Sequence, residues 1–314
     1  LTERQAVTSP NSKLAASVCA PSSAFDLLQW QEQAQAHTAL WRSESSLPKP
    51  RRIEVADDTM PADTAFRHIS EGASLLWRGD FQNARQLLLA LGRRLDKKSR
   101  RKSPAKSTAA SGFPHAFHLY RQSQAQRARM LGSILIELDV QWHCALRRAP
   151  DWSLACSEAW GAVPAEAHAQ SVLVPLRDLL GVVGAHEWRK KGVEIPALDG
   201  ARIHAHYGVF SPVRGEYLDL VARASIPAAG LEQAWDIGVG TGVLSALLLK
   251  RGVKSVVATD TSERALACAC ENLQRLGHAS RVELQHADLF AQGQAGLIVC
   301  NPPWLPGKAA SVLD

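Results

Sequence analysis

The residues best suited to chemistry lie in the last third of this 314-residue sequence. The run Asp236-Ile237-Gly238-Val239-Gly240-Thr241-Gly242 stands between an apolar strand-like segment (AWDIG) and a helix-like one (VLSALLLK). Alternating glycines permit positive φ and let a ligand reach the backbone without a Cβ in the way. The competing use is the dinucleotide fingerprint G-x-G-x-x-G, which holds a pyrophosphate at a helix N-terminus. Val243 occupies the position where that fingerprint needs its third glycine. The carboxylate of Asp236 would also repel phosphate, whereas it suits a positively charged ligand such as a sulfonium bearing an α-amino group.

Two further carboxylates extend the pattern. Asp260 follows Asp236 by 24 residues and ends the second strand-like run (VKSVVATD). A carboxylate there can accept both hydroxyls of a ribose. Asp288 ends the third run (RVELQHADL) and can accept from an adenine amino group. Taken singly, Asp260 could instead cap the helix ERALACAC, and Asp288 could close a turn. Three acids at three successive strand ends, where open α/β sheets bind ligands, favour the ligand reading.

The fourth run, GLIVC, ends in Asn301-Pro302-Pro303-Trp304. Two prolines remove two backbone donors and leave carbonyls as acceptors. Together with the Asn301 side-chain carbonyl they can accept both hydrogens of an NH2 group. Trp304 offers a flat face for a planar target. A delocalised nitrogen is a poor nucleophile, and acceptors of this kind favour the rehybridised nitrogen of a transition state. Orientation then carries much of the rate, with no general base required.

These residues need a scaffold. From Trp235 onward strand-like and helix-like segments alternate, the pattern of a parallel sheet wound through right-handed crossovers. Upstream, residues 1–60 read as a loosely ordered segment with one amphipathic helix over Phe25–Trp41. Residues 61–190 read as a mainly helical domain for substrate recognition: a helical hairpin with Asp63 and Asp80 as caps, then helices over 117–140 and 170–190, the last ended by Gly192. Residues 93–106 hold eight Lys or Arg and one acid, and 93–112 read as a basic linker in preference to a nucleic-acid-binding arm. The cofactor-binding domain is placed at 191–314.

Composition is that of a globular protein, with 46% hydrophobic and 21% charged residues and a net charge of +6. That charge suits an anionic partner such as RNA or DNA. The six cysteines are scattered, with no zinc spacing and no expected metal. No apolar run approaches the about 18 residues of a membrane span, so a cytoplasmic location without membrane contact is expected.

Residues 204–304 resemble class I S-adenosylmethionine-dependent methyltransferases with an N/D-P-P-aromatic motif, of the methyltransferase small domain set. That group includes DNA adenine-N6, rRNA guanine-N2 and glutamine-N5 enzymes. The resemblance implies a Rossmann-like sheet and S-adenosylmethionine as cofactor. It implies that Asp236, Gly238, Gly240, Thr241 and Gly242 surround methionine, Asp260 the ribose and Asp288 the adenine. Phe210, in the lead-in from Tyr207 to Glu216, would pack over the methionine end. Asn301, Pro302, Pro303 and Trp304 would form the target-amine site. The family sheet has seven strands and four are visible, so the C-terminal strands are expected to be missing.

The expected activity is N-methylation of a glutamine amide in a translation factor or ribosomal protein, or of an exocyclic base amine in RNA or DNA. The guanine-N2 enzymes often carry an upstream α/β duplicate, so a helical N-terminal half leans towards a glutamine-type or unassigned enzyme. The alternative is a non-catalytic RNA- or ribosome-binding adapter on the same fold. Oligomeric state is left open.

Overall fold

The computed structural model describes residues 26–102, 113–163 and 171–302. The first 25 residues, 103–112 of the basic segment, and Pro303 and Trp304 lie outside the described residues. Two compact units emerge: Phe25–Glu194 with Arg202–Val213, and Ile195–Ala201 with Arg214–Asn301.

The first unit is α/β. In chain order it runs β1 (Asp26–Glu32), β2 (Gln35–Trp41), β3 (Ile53–Ala56), α1 (Ala62–Ser70), β4 (Ser74–Trp77), α2 (Phe81–Lys102), α3 (Phe113–Leu131), β5 (Ile134–Asp139), α4 (Ser153–Trp160), β6 (Ser171–Pro175) and α5 (Leu176–Lys191). The strands form one mixed sheet in the order β1-β2-β6-β5-β4-β3. Side chains alternate across it: Leu75, Ile134, Ile136, Val172 and Val174 join the helices in one apolar cluster. Leu76, Leu135 and Leu173 turn the other way, to Leu28, Trp30 and Trp41.

From residue 26 on, this corrects the expectation of a loosely ordered segment to residue 60 and a mainly helical domain from 61 to 190. The described part of the Phe25–Trp41 stretch is a hairpin, with β1 and β2 antiparallel from Asp26↔Trp41 to Glu32↔Gln35. Its turn residues, Gln33 and Ala34, take φ of 51° and 63°. That is turn geometry usually announced by Asn or Gly, so the sequence carried no turn signal there. Strands β4, β5 and β6 are short apolar runs buried on both faces, which lose the alternation that separates strand from helix.

Details of the helices also differ. Pro61, not Asp63, precedes α1, and Asp63 pairs with Arg94 at 2.7 Å. Asp80 does cap α2, accepting from the Gln82 amide at 2.8 Å. Arg148 beside it, with help from Arg147, holds its carboxyl down to about 2. Gly192 ends α5 at φ 69°, behind Arg189, Lys190 and Lys191. The stretch Arg93–Lys102 is helical, the last part of α2, rather than linker.

A short ribbon of β7 (Val193–Ile195) and β8 (Ala201–Ile203) follows. The second unit then contains α6 (Glu216–Arg223), α7 (Ala228–Glu232), β9 (Gln233–Ile237), α8 (Val243–Lys250), β10 (Ser255–Asp260), α9 (Glu263–Arg275), β11 (Val282–His286) and β12 (Leu297–Cys300). All strand pairs are parallel, in the order β11-β10-β9-β12. Numbered from β9, this is the 3-2-1-4 order of a Rossmann-like sheet, and the order reverses between β9 and β12. Helix α8 is buried from Val243 to Leu249, as its sequence VLSALLL requires.

Candidate functional site

The carboxyl ends of β9 and β12 meet at the switch in strand order. Cys300 is the strand partner of Ile237, so Asn301 and Gly238 leave neighbouring strands at the same level. A crevice outside such a switch point is where open α/β sheets bind ligands.

Gly238, Gly240 and Gly242 have φ of 73°, 53° and 79°, a region costly for residues with a Cβ. Their surroundings differ. A Cβ on Gly238 would meet nothing within 4 Å, so that side of the turn is open to a ligand. One on Gly242 would stand 3.3 Å from Ala269 Cα and Leu273 Cγ, so this glycine lets α9 pack against the turn. Thr241 is only 3% exposed, and its carbonyl accepts from Asn272 Nδ2 at 3.1 Å. Its place is the packed underside of the turn.

Asp236 is 0% exposed. Its Oδ2 accepts from the Ser245 amide at 2.9 Å and from Ser245 Oγ at 2.7 Å, which fastens β9 to the first turn of α8. Its Oδ1 is buried with no hydrogen-bond partner among the described residues. Burial pushes this carboxyl up to about 7, against the lowering effect of the Ser245 bonds, and the Asp260 charge adds to the rise. Tyr217 on α6 is close enough to register the same charge: burial first, then Asp236, pushes its phenol up to about 12.

Asp260 stands at the end of β10. Its Oδ2 accepts from the Gly240 amide at 3.1 Å, and its Oδ1 from the Ser262 amide at 2.9 Å. The strand-end acid therefore holds the middle of the glycine turn directly. Its carbonyl accepts from the Ala287 amide at 3.1 Å, tying in the loop that carries Asp288. Asp288 is exposed two residues beyond β11, followed by exposed Leu289 and Phe290. The Leu289 carbonyl accepts from Thr259 Oγ1 at 2.6 Å.

The structure thus brings Asp236, the three glycines, Asp260, Asp288 and Asn301 to the carboxyl edge of one sheet. Pro302 follows Asn301 directly. Phe210 belongs to the segment that groups with the first unit and is 57% exposed. Ser245, Asn272 and Tyr217 were not singled out in the sequence. Ser245 had a signal, as the only polar residue in the otherwise apolar stretch VLSALLL.

Residues 200–313 match the methyltransferase small domain family. Over 81 residues the chain is 42% identical to a release factor glutamine methyltransferase of Cereibacter sphaeroides, covering 25% of this chain and 29% of that protein. Over 92 residues it is 30% identical to a tRNA1(Val) (adenine(37)-N6)-methyltransferase of a Shewanella species, covering 27% and 39%. Over 131 residues it is 34% identical to the ribosomal RNA large subunit methyltransferase G of Magnetococcus marinus, covering 39% and 36%. The chain therefore spans between 29% and 39% of the length of these three relatives. The parallel 3-2-1-4 sheet and the glycine turn at its switch point lie within the residues that are similar to the methyltransferase small domain family.

Proposed function

We propose that this protein is an N-methyltransferase that places a methyl group on a planar amino nitrogen of a macromolecule, an exocyclic base amine or a glutamine side-chain amide, in the cytoplasm. The observation that carries this reading is the meeting of the glycine turn and Asn301 at adjacent strand ends, Cys300 opposite Ile237. None of the described helices is long and apolar enough to cross a membrane.

The residues present fit S-adenosylmethionine. The buried, unpartnered Asp236 Oδ1 suits an ammonium group. Gly238 leaves space where a Cβ would otherwise stand. Each Asp260 oxygen already accepts one backbone N–H and keeps capacity for a hydroxyl donor, since a carboxylate oxygen accepts about two bonds. Asp288, with Leu289 and Phe290 beside it, offers an acceptor and apolar surface to a purine. When bound, the cofactor supplies an electrophilic methyl carbon that the amine nitrogen takes, with the carbon–sulfur pair returning to sulfur and a proton released.

The chain's own task is orientation. In this reading Asn301, just beyond β12, accepts from the target NH2 group, and Pro302, with Pro303 and Trp304 outside the described residues, belongs to the same proposed target-amine site. No residue is needed as a base, because the proton leaves only as the nitrogen becomes cationic. Thr241 enters this reading through the shape of the turn.

The lean towards a glutamine acceptor no longer stands, because the N-terminal unit is α/β rather than helical. The relatives above include enzymes named for both glutamine and RNA acceptors. The test is transfer of labelled methyl groups by the protein to cell lysate treated with ribonuclease or with protease. Counts lost with either treatment identify the acceptor class. Asn301→Ala is expected to abolish transfer while cofactor binding persists, and unchanged transfer would refute the role given to Asn301. Cofactor binding without transfer to any lysate fraction would favour the adapter reading.

A further inference from the structure

We infer that the α2–α3 pair of the first unit is a docking arm for single-stranded or looped RNA. The inference builds on the methyl-transfer reading, for which it names the acceptor class. Its physical basis is separate from the cofactor site.

The end of α2 is heavily cationic: the ten residues Arg93–Lys102 hold seven Lys or Arg and one acid, Asp96. They continue one helix instead of forming a loose linker. Among the residues whose side chains are described, Arg93 and Lys97 form an i,i+4 pair of like charge, which is mutually repulsive. Arg94 is neutralised by Asp63 at 2.7 Å, and Asp96 is engaged by Arg127 of α3 at 2.8 Å. Arg93 and Lys97 stand four apart on one face, exposed, with no acidic partner among the described residues. The charge of this face is therefore uncompensated among the described residues, and an anionic polymer supplies a counter-charge.

The second helix shows what kind of polymer. Residues 117–126 of α3 are exposed at every position, so this stretch has no buried face. A short helix without a packed face is marginal on its own. It carries Phe117 and Tyr120, 48% and 60% exposed, one turn apart on one side. Arg121 lies on that side as well, its guanidinium 5.9 Å from the Phe117 ring centroid. Exposed aromatic rings with a guanidinium stacked beside them form a platform for unpaired bases. An acidic peptide would use the cations and leave the rings idle. A membrane would want one apolar stripe, but exposed Leu119 points away from the side shared by Phe117 and Tyr120. Unstacked bases on a phosphate backbone use both features, and RNA loops offer them. Arg129, exposed nearer the end of α3, adds a fourth cation without an acidic partner among the described residues.

The test uses the full chain, a fluorescein-labelled mixed-sequence RNA of twenty nucleotides, and poly-glutamate as the competing polyanion. All targeted side chains are exposed, so the variants are expected to fold, which near-ultraviolet circular dichroism checks. Replacing Arg93, Lys97, Arg121 and Arg129 together by Gln should flatten the slope of log affinity against log salt by about 2.8, from four phosphate contacts at about 0.7 each. Should the protein not tolerate four changes, Lys97→Glu alone is expected to weaken RNA binding measurably. Phe117→Ala with Tyr120→Ala should weaken RNA binding about tenfold or more and leave poly-glutamate binding unchanged. Unchanged affinity and slope in the charge variants would overturn the inference. Poly-glutamate binding as tight as RNA, with the aromatic variant altering neither, would overturn it in favour of an acidic protein partner. S-adenosylmethionine titrated into the same samples separates the two proposals: RNA bound through the arm without cofactor binding would sink the methyltransferase reading alone.

Discussion

The Gly240 amide donates to Asp260 Oδ2 over 3.1 Å, so the residue expected to hold the ribose also fixes the loop expected to hold methionine. Two parts of the site that are 20 residues apart in sequence are thereby one mechanical unit. Losing the carboxylate removes a ligand contact and also releases an amide that shapes the turn.

Asp260→Asn keeps an oxygen that can accept from Gly240 but gives up the charge and one acceptor. It should bind S-adenosylmethionine about tenfold more weakly, the loss of roughly one charge-assisted hydrogen bond. Asp260→Ala should lose more, because the turn loosens as well. Calorimetric titration of the two variants side by side checks the order, and equal affinities would show that the turn does not depend on this bond.

The glycines should separate into two kinds. Gly242→Ala meets α9 at 3.3 Å in a left-handed backbone and should destabilise the second unit by about 2 kcal/mol. Gly238→Ala has open space at its Cβ and should cost stability by only about 1 kcal/mol, while the new methyl occupies the side where the ligand approaches. Urea denaturation and cofactor titration on both variants test this. The contrast fails if Gly238→Ala unfolds as readily as Gly242→Ala with full affinity in the folded fraction.

Asp236 makes the apo protein sensitive to pH. Its folded carboxyl is raised to about 7 by burial, so between about pH 4 and 7 the native state binds a proton that the unfolded chain has released. Stability therefore falls as pH rises through that window, by at most about 4 kcal/mol. Asp236→Asn should flatten this slope, since an amide keeps the oxygen facing Ser245. An ammonium group arriving at Oδ1 favours the carboxylate, so cofactor binding at pH 6 should release a proton. Titrations in two buffers of different ionisation enthalpy measure that release, and identical apparent enthalpies would contradict it.

The second unit was legible in the sequence because its signals are local. Gly238, Gly240 and Gly242 announce a left-handed turn, and the apolar strands alternate with helices; the cap of α9, Ser262, whose Oγ accepts from the Ala265 amide at 3.3 Å, was not among the residues read from the sequence. What sequence alone missed at this site was a partner: Asp236 Oδ2 accepts from the Ser245 amide and hydroxyl, a pairing over nine residues that spacing does not reveal. The first unit was misread for a different reason. Its hairpin turns at Gln33-Ala34 without Gly or Asn, and SLLW, ILIEL and SVLVP are buried on both faces. Their strand character comes from pairing across the sheet, as in Glu137↔Leu173, and not from their own pattern.

The central claim is that the edge defined by Gly238, Gly240 and Asp260 binds S-adenosylmethionine. Isothermal titration of S-adenosylmethionine into the wild-type protein and into Asp260→Ala tests it most directly. Saturable one-to-one heat is expected for the wild type, with a loss of about tenfold or more in affinity for the variant. No heat from a folded wild-type protein, or equal affinity in the two, would contradict it.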